Sequence, residues 1–246
     1  MSIFGLIGKS LTHSFSPNYF ENKFEREQII DAQYKLFPLE NIEEISKFKK
    51  EHTNLCGLNV TIPYKESIIP FLDEISEQAH AIGAVNTIAC LADGRWIGYN
   101  TDAFGFEKAI QSFVDLKTRK ALVLGTGGAS KAVQYILTKH AVPFYLLSRS
   151  PKKDSKEITY EELNQNMLES HTLIINCTPL GTFPNINECP SIPFEFIGDK
   201  HFVFDLVYNP AETTLMKKAK AAGAAVANGT SMLENQAEAS WEIWNK

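Results

Sequence analysis

The stretch that most restricts the possible folds is ALVLGTGGASKAVQYILTKH, residues 121–140. Its first four residues are apolar, a run too short for a helix and suited to a buried strand, and glycines at 125, 127 and 128 then interrupt it. Beyond them Val133, Ile136 and Leu137 recur at helical spacing among good helix formers. Strand, tight turn and helix follow within one βα unit, which predicts half of a mononucleotide-binding fold. Glycine admits unusual backbone angles and close approach, so the unpaired N–H groups and positive dipole end of the helix can face a pyrophosphate. Gly125, Thr126, Gly127, Gly128 and Ala129 are therefore the candidate cofactor turn, although Ser130 holds the sixth position of G-x-G-x-x-G.

The end of the next apolar run, 144–147, is where such a fold chooses between dinucleotides, because an acidic residue there would bind a free ribose 2′-hydroxyl. The chain instead continues Ser148, Arg149, Ser150, Pro151, Lys152, Lys153, with no carboxylate before Asp154. Arg149 offers a planar fork and Lys153 a point charge, both suited to a 2′-phosphate. This predicts NADP rather than NAD; the alternative is a solvated basic turn.

With 246 residues the chain can form one large or two modest domains. A net charge of −5 without a long basic run argues against nucleic acid as a partner. Cys56, Cys90, Cys177 and Cys189 are far apart with no CxxC pair, as expected of reduced thiols in the cytoplasm. The N-terminus lacks the features of a signal peptide, and no apolar run approaches the roughly 18 residues of a membrane span, so no membrane partner is expected. The histidines show neither HxH nor HExxH spacing, His13 has no obvious partner, and no metal is expected.

Along the chain, strands are predicted at 3–7, 34–37, 57–60, 84–90 and 95–99, the last two forming a hairpin around Ala92, Asp93 and Gly94. Helices are predicted from Pro17 or Asn18, at 42–50 and at 73–81. A helix at 104–113 leads into the nucleotide unit, whose later strands are predicted at 172–175, 202–206 and 225–227 and whose helix at 212–222. The alternation predicts an α/β protein with parallel sheets, in which ligands sit at the carboxyl ends of strands. Thr61 and Lys65 follow the strand at 57–60 and so fall at such an end. The last helix, 231–244, carries Met232, Leu233, Ala237, Trp241 and Trp244, and its packing partner is left open.

Several segments together resemble the shikimate dehydrogenase family across almost the whole chain. They are Ser14-Phe15-Ser16-Pro17, Asn59-Val60-Thr61-Ile62-Pro63-Tyr64-Lys65, Gly83-Ala84-Val85-Asn86-Thr87 and Gly98-Tyr99-Asn100-Thr101-Asp102. The glycine turn, residues 176–181 and 205–208, and Gly229 with Met232, Leu233 and Gln236 complete the set. The resemblance implies reversible NADPH-dependent reduction of 3-dehydroshikimate to shikimate, in the biosynthesis of aromatic amino acids. It also implies two open-sheet α/β domains, an N-terminal substrate domain (1–101 plus 229–246) and a C-terminal Rossmann-like NADP-binding domain (102–228), with the site in a cleft between them. The family often has Asn-Arg-Thr-x-x-Arg at the 2′-phosphate, where this chain has Ser148 and Lys153 at the outer positions.

Removing hydride from an alcohol carbon leaves a carbonyl only if the hydroxyl proton also departs, so the site needs a proton-transfer group beside the reacting oxygen. Lys65 is the candidate, and the resemblance pairs it with Asp102. Burial would lower the lysine's pKa and a neighbouring carboxylate would raise it. The resemblance further implies Ser14 and Ser16 at the substrate carboxylate, Thr61, Asn86, Asp102 and Gln236 around the ring hydroxyls, and Tyr208 near the carboxylate end. On the cofactor side it implies Ser148, Arg149, Ser150 and Lys153 at the 2′-phosphate, residues 176–181, Thr178 among them, and Gly229 bordering the nicotinamide, and Leu206 as a further cofactor contact. Each has a plainer alternative: Ser14, Ser16 and Asp102 as helix caps, Asn86 as a strand-end partner, Tyr208 as a half-buried ring, Gln236 facing solvent, Thr178 as a turn residue. Two other functions stay open, a quinate/shikimate dehydrogenase with broader substrate and NAD use, and a non-catalytic NADP-binding sensor. Either a monomer or a homodimer fits the sequence.

Overall fold

The computed structural model describes residues 1–12, 14–152 and 156–246, so His13 and the candidate cofactor residue Lys153 lie outside the described residues. Two compact units emerge, Met1–Gly105 with Leu233–Lys246, and Phe106–Met232. The divisions fall after residues 105 and 232, where the sequence suggested 101 and 228, so Asp102 belongs to the first unit.

The first unit contains β1 (Ser2–Gly8), α1 (Ser16–Arg26), β2 (Ala32–Pro38), α2 (Ile45–Glu51), β3 (Leu55–Val60), β4 (Glu74–Ile75), α3 (Glu77–Ile82), β5 (Thr87–Cys90) and β6 (Trp96–Tyr99), then the start of α4 (Thr101–Gln111). Its sheet runs β2-β1-β3-β5-β6-β4. The pairs β1·β2, β1·β3 and β4·β6 are parallel, whereas β5 is antiparallel to both β3 and β6. The β5·β6 hairpin is antiparallel as expected, since the short link from Cys90 to Trp96 can join only antiparallel neighbours, but β5 also runs antiparallel to the remote β3, so the sheet is mixed and not parallel. The helix expected at 73–81 is also shorter. Asp73 instead accepts a hydrogen bond from the Trp96 amide, Glu74 and Ile75 pair with β6 at the sheet edge, and the Ser76 side chain caps α3 by accepting from the Ala79 N–H. At 42–50 the first turn is a 3₁₀ turn before α2 begins.

The second unit contains β7 (Ala121–Leu124), α5 (Gly128–Lys139), β8 (Phe144–Leu147), β9 (Glu157–Ile158), α6 (Gln165–Ser170), β10 (Leu173–Asn176), β11 (Phe202–Asp205), α7 (Thr214–Ala221) and β12 (Ala225–Asn228), and the chain then enters α8 (Thr230–Trp244). All pairs in its sheet, β12-β11-β10-β7-β8-β9, are parallel. Strand β7 is a fully buried apolar run and β10 is buried throughout, three apolar residues followed by Asn176, as suits central strands covered on both faces. From β7 the chain moves outward to β8 and β9, then returns to the other side of β7 with β10, so the strand order reverses between β7 and β10. Such a reversal opens a crevice at the carboxyl ends of the strands, and the Gly125 turn lies there. The short β9 and α6 escaped the sequence pattern because neither is long enough to show a period.

The packing of α8 is also decided. Its C-terminal part lies in the first unit, where Trp241 and Trp244 join Phe4, Phe20, Phe24 and Tyr34. The Trp244 indole N–H donates to the Ile88 carbonyl at 3.0 Å, and a Cβ on Gly57 would lie 2.2 Å from the indole ring, so β3 needs glycine there to admit it. The nearly buried Lys23 of α1 donates to Glu238 at 2.8 Å, and the Tyr19 hydroxyl donates to the same carboxylate.

Candidate active site

Lys65 sits in the turn after β3, and the residues on either side of it fix that turn. The Tyr64 hydroxyl donates to the Leu39 carbonyl at 2.7 Å, while the Lys65 carbonyl accepts from the Val85 N–H at 2.7 Å. With the backbone held on both flanks, the ammonium reaches Asp102 Oδ2 at 2.6 Å, the two side chains being 16% and 8% exposed. The other carboxylate oxygen, Oδ1, accepts from Asn86 Nδ2 at 2.9 Å. Asp102 is thus oriented through both oxygens. It is not the cap of α4, because Asn100 Oδ1 accepts from the Ala103 N–H and fills that role.

Asn86 extends the cluster. Its Oδ1 accepts from the Thr101 N–H at 2.7 Å, and its Nδ2 also approaches Gln236 Oε1 at 3.3 Å. Gln236 is buried in α8, contrary to the solvent-facing alternative, and its Nε2 donates to the Leu233 carbonyl. Lys65, Asn86, Asp102 and Gln236 are therefore joined by one continuous set of hydrogen bonds. Thr61 lies at the end of β3, its N–H bonded to the Ile7 carbonyl and its methyl close to Gly8. Ser14 and Ser16 are half-buried at the start of α1, whose N-terminus takes no side-chain cap, so neither hydroxyl is spent on capping. Burial pushes the phenol of Tyr34, which neighbours Ser16, well above its ordinary pKa.

Beneath this cluster lies a layer that the sequence did not mark as functional. Ser240 Oγ meets Thr87 Oγ1 at 2.8 Å and Thr101 Oγ1 at 3.2 Å, and accepts from Asn59 Nδ2 at 3.0 Å. Asn59 Oδ1 in turn accepts from the Tyr34 hydroxyl at 2.8 Å. Asn59, Thr87 and Thr101 stood inside recognisable segments, but nothing around Ser240 distinguishes it from any small helix residue. A fully satisfied buried network of this kind specifies one arrangement of the side chains it carries.

Tyr208 belongs to the second unit and is half-buried just after β11. The cofactor candidates described also lie in this unit. Gly125 has φ +97°, a left-handed conformation that excludes most side chains, and a Cβ there would lie 2.9 Å from the Thr178 methyl. Helix α5 begins with Gly127 at its N-cap, with no side-chain cap and no acidic residue in its first turn, and a Cβ on Gly127 would meet nothing within 4 Å. Its first amides are therefore available to an anion. Ser130 at the sixth motif position is fully buried and donates to the Gly127 carbonyl at 2.8 Å, a tight contact that its small side chain permits. After β8, Ser148 Oγ accepts from the Ser150 N–H, which turns the chain and leaves Arg149 exposed. An open glycine cradle and an exposed guanidinium without a carboxylate at the strand end suit a 2′-phosphorylated dinucleotide. At the ends of β10 and β11, Asn176 Oδ1 accepts from both the N–H and the hydroxyl of Thr178, and Gly229 lies against the backbone of Leu206.

Comparison with known proteins gives concordant results. The family model for the shikimate dehydrogenase substrate binding domain matches residues 6–88. The shikimate dehydrogenase (NADP(+)) of Methanosphaera stadtmanae is 38% identical over 261 residues, covering 98% of this chain and 90% of the relative. Among solved structures, a chorismate mutase/shikimate 5-dehydrogenase fusion protein from Clostridium acetobutylicum is 40% identical with a TM-score of 0.88, covering 100% of this chain and 91% of that one. The shikimate 5-dehydrogenase of Thermus thermophilus, solved in complex with NADP(H) and shikimate, is 29% identical with a TM-score of 0.87, covering 99% of this chain and 93% of its own.

Proposed function

The chain belongs to the shikimate dehydrogenase family, and on that premise we infer the work of each candidate residue. The enzyme catalyses the reversible NADPH-dependent reduction of 3-dehydroshikimate to shikimate. The observation that carries the assignment of roles is the 2.6 Å pair of Lys65 and Asp102, oriented from its far side by Asn86.

A dinucleotide held at the Gly125 turn would supply the hydride acceptor in the oxidative direction and the hydride donor in the reductive one. Lys65 takes the hydroxyl proton at Nζ as the neutral amine, becoming the ammonium, and in the reductive direction that ammonium gives its proton to the carbonyl oxygen and returns to the amine. Asp102 holds the amine in place and, with its remaining lone pairs, accepts from a substrate hydroxyl. Asn86 and Gln236, with Thr61, supply further polar partners to the ring hydroxyls, and Ser14, Ser16 and Tyr208 serve the carboxylate. Gly125, Thr126, Gly127, Gly128 and Ala129 bind the pyrophosphate through backbone N–H groups at the start of α5. Ser148, Arg149 and Ser150 take the 2′-phosphate, and Thr178, Leu206 and Gly229 border the nicotinamide. On this reading the first unit binds substrate and the second binds NADP. The partner is a small molecule, and the enzyme works in the cytoplasm.

The test is the absorbance of NADPH formed from shikimate and NADP⁺, repeated with quinate and with NAD⁺. Turnover with shikimate and a clear preference for NADP⁺ is the expected result. Equal rates on quinate would reassign the substrate, and tight NADP⁺ binding without turnover would make the chain a sensor.

A further inference from the structure

A carboxylate in the second unit has no part in the chemistry above. Asp205 ends β11 and has no solvent exposure. Its partners are uncharged donors: Oδ1 accepts from Asn176 Nδ2 at 2.8 Å and from the Val207 N–H at 3.0 Å, and Oδ2 accepts from the Thr213 hydroxyl at 2.6 Å. An acid buried among neutral groups is a costly way to fill space, and a buried charge is weak evidence of stabilisation. It does fix direction, since each oxygen demands donors at set positions.

Those donors lead to the cofactor candidates. Asn176, held through its Nδ2, turns its Oδ1 to the N–H and hydroxyl of Thr178 at 3.0 and 2.7 Å. Thr178 is the residue that faces Gly125. The Val207 N–H, held by the same carboxylate oxygen, fixes the peptide that follows Leu206, and a Cβ on Gly229 would lie 2.2 Å from the Leu206 carbonyl oxygen. Thr213, the third donor, accepts from the Met216 N–H and so caps α7, fixing the far end of the loop that begins at Leu206. The carboxylate therefore ties together the loops after β10 and β11 and, by contact, those after β7 and β12.

We propose that Asp205 is a positioning residue for the dinucleotide, holding Thr178 and Leu206 where the nicotinamide half of NADP is bound. The inference rests on the cofactor reading given under Proposed function. Burial raises the carboxyl pKa of Asp205, while all three hydrogen bonds favour its ionised form.

The experiment is calorimetric titration of NADP⁺ into wild type, Asp205→Ala, Asp205→Asn and Asn176→Ala, with the unliganded melting temperature of each. Leu168→Ala, a truncation in the buried core of the same unit, shows what lost stability alone does to binding. Asp205→Ala is expected to weaken NADP⁺ binding about tenfold, within the range of roughly 5- to 150-fold typical of coupled groups. Asp205→Asn should lose less, because its Oδ1 still accepts from Asn176 and Val207. Asn176→Ala should lose about as much as Asp205→Ala, and it carries the test if the latter fails to fold. Leu168→Ala should melt earlier with its affinity unchanged. Affinity within twofold of wild type in Asp205→Asn and Asn176→Ala together, or an equal loss in Leu168→Ala, overturns the proposal. Failure of the wild type itself to bind NADP⁺ would instead overturn the cofactor reading.

Discussion

Replacing Lys65 by arginine separates the two tasks given to that residue. The Lys65 and Asp102 side chains are 16% and 8% exposed at 2.6 Å, between the surface case, worth below about 1 kcal/mol, and the fully buried case, where losing one partner costs about 3–5 kcal/mol. With Asn86 still donating to Asp102, we expect K65A to cost about 2 kcal/mol, or roughly 4–8 °C in melting temperature for a chain of this size. K65R keeps the positive charge and the hydrogen bond, so its melting temperature should stay near that of wild type. An arginine, however, does not release its proton in proteins. Both variants should therefore lose about 10²- to 10⁴-fold in kcat, or about 3–5 kcal/mol of barrier, when NADPH formation from shikimate is followed by absorbance. A K65R enzyme within tenfold of wild-type kcat would refute proton transfer by this amine. A K65A enzyme as stable as wild type would refute the energetic weight given to the pair.

Three further outcomes follow from the packing. Gly229→Ala places a methyl 2.2 Å from the Leu206 carbonyl oxygen, a backbone atom that cannot swing aside, so scanning calorimetry should show more than about 2 kcal/mol lost. Ser240→Ala removes a fully buried hydroxyl shared by Asn59, Thr87 and Thr101, and should cost about 1–3 kcal/mol in denaturant unfolding while leaving NADP⁺ affinity unchanged. Burial lowers the His171 pKa below its ordinary 6.5, only partly countered by its hydrogen bond to the Met167 carbonyl, and nearby Lys120 lowers it further. The unfolded chain then takes up the proton first as pH falls, so the stability from neutral His171 is present above about 6.5 and is lost as pH drops through the lowered folded value. Denaturant unfolding at about pH 7 and about pH 5 should show a smaller loss in His171→Asn than in wild type.

Much of the second unit could be deduced from local pattern. Residues 121–124 and 144–147 are strands with the predicted bounds, because a short apolar run between turn residues has few other fates in an α/β chain. The glycine turn was equally legible, since the φ of Gly125 is a property of the residue type. Two errors in the first unit have a common source. The mixed sheet and the edge strand Glu74–Ile75 depend on pairing with residues distant in sequence, Thr87 with Asn59 and Glu74 with Ile97, and no local period reports them.

The sequence by itself determined the chemistry available: a lysine, a carboxylate, two amides, a glycine turn and an arginine without a competing acid after the next strand. Only the tertiary structure decided which of these meet within a unit. It put Asp102 with Lys65 in the first unit, brought Gln236 to Asn86 from the far end of the chain, and set Ser240 beneath them. It also gave Asp205 its three donors. The physical reason is that residue type and spacing act over a few neighbours, whereas an ion pair or a buried hydrogen bond depends on directions set by strands and helices packed from remote parts of the chain.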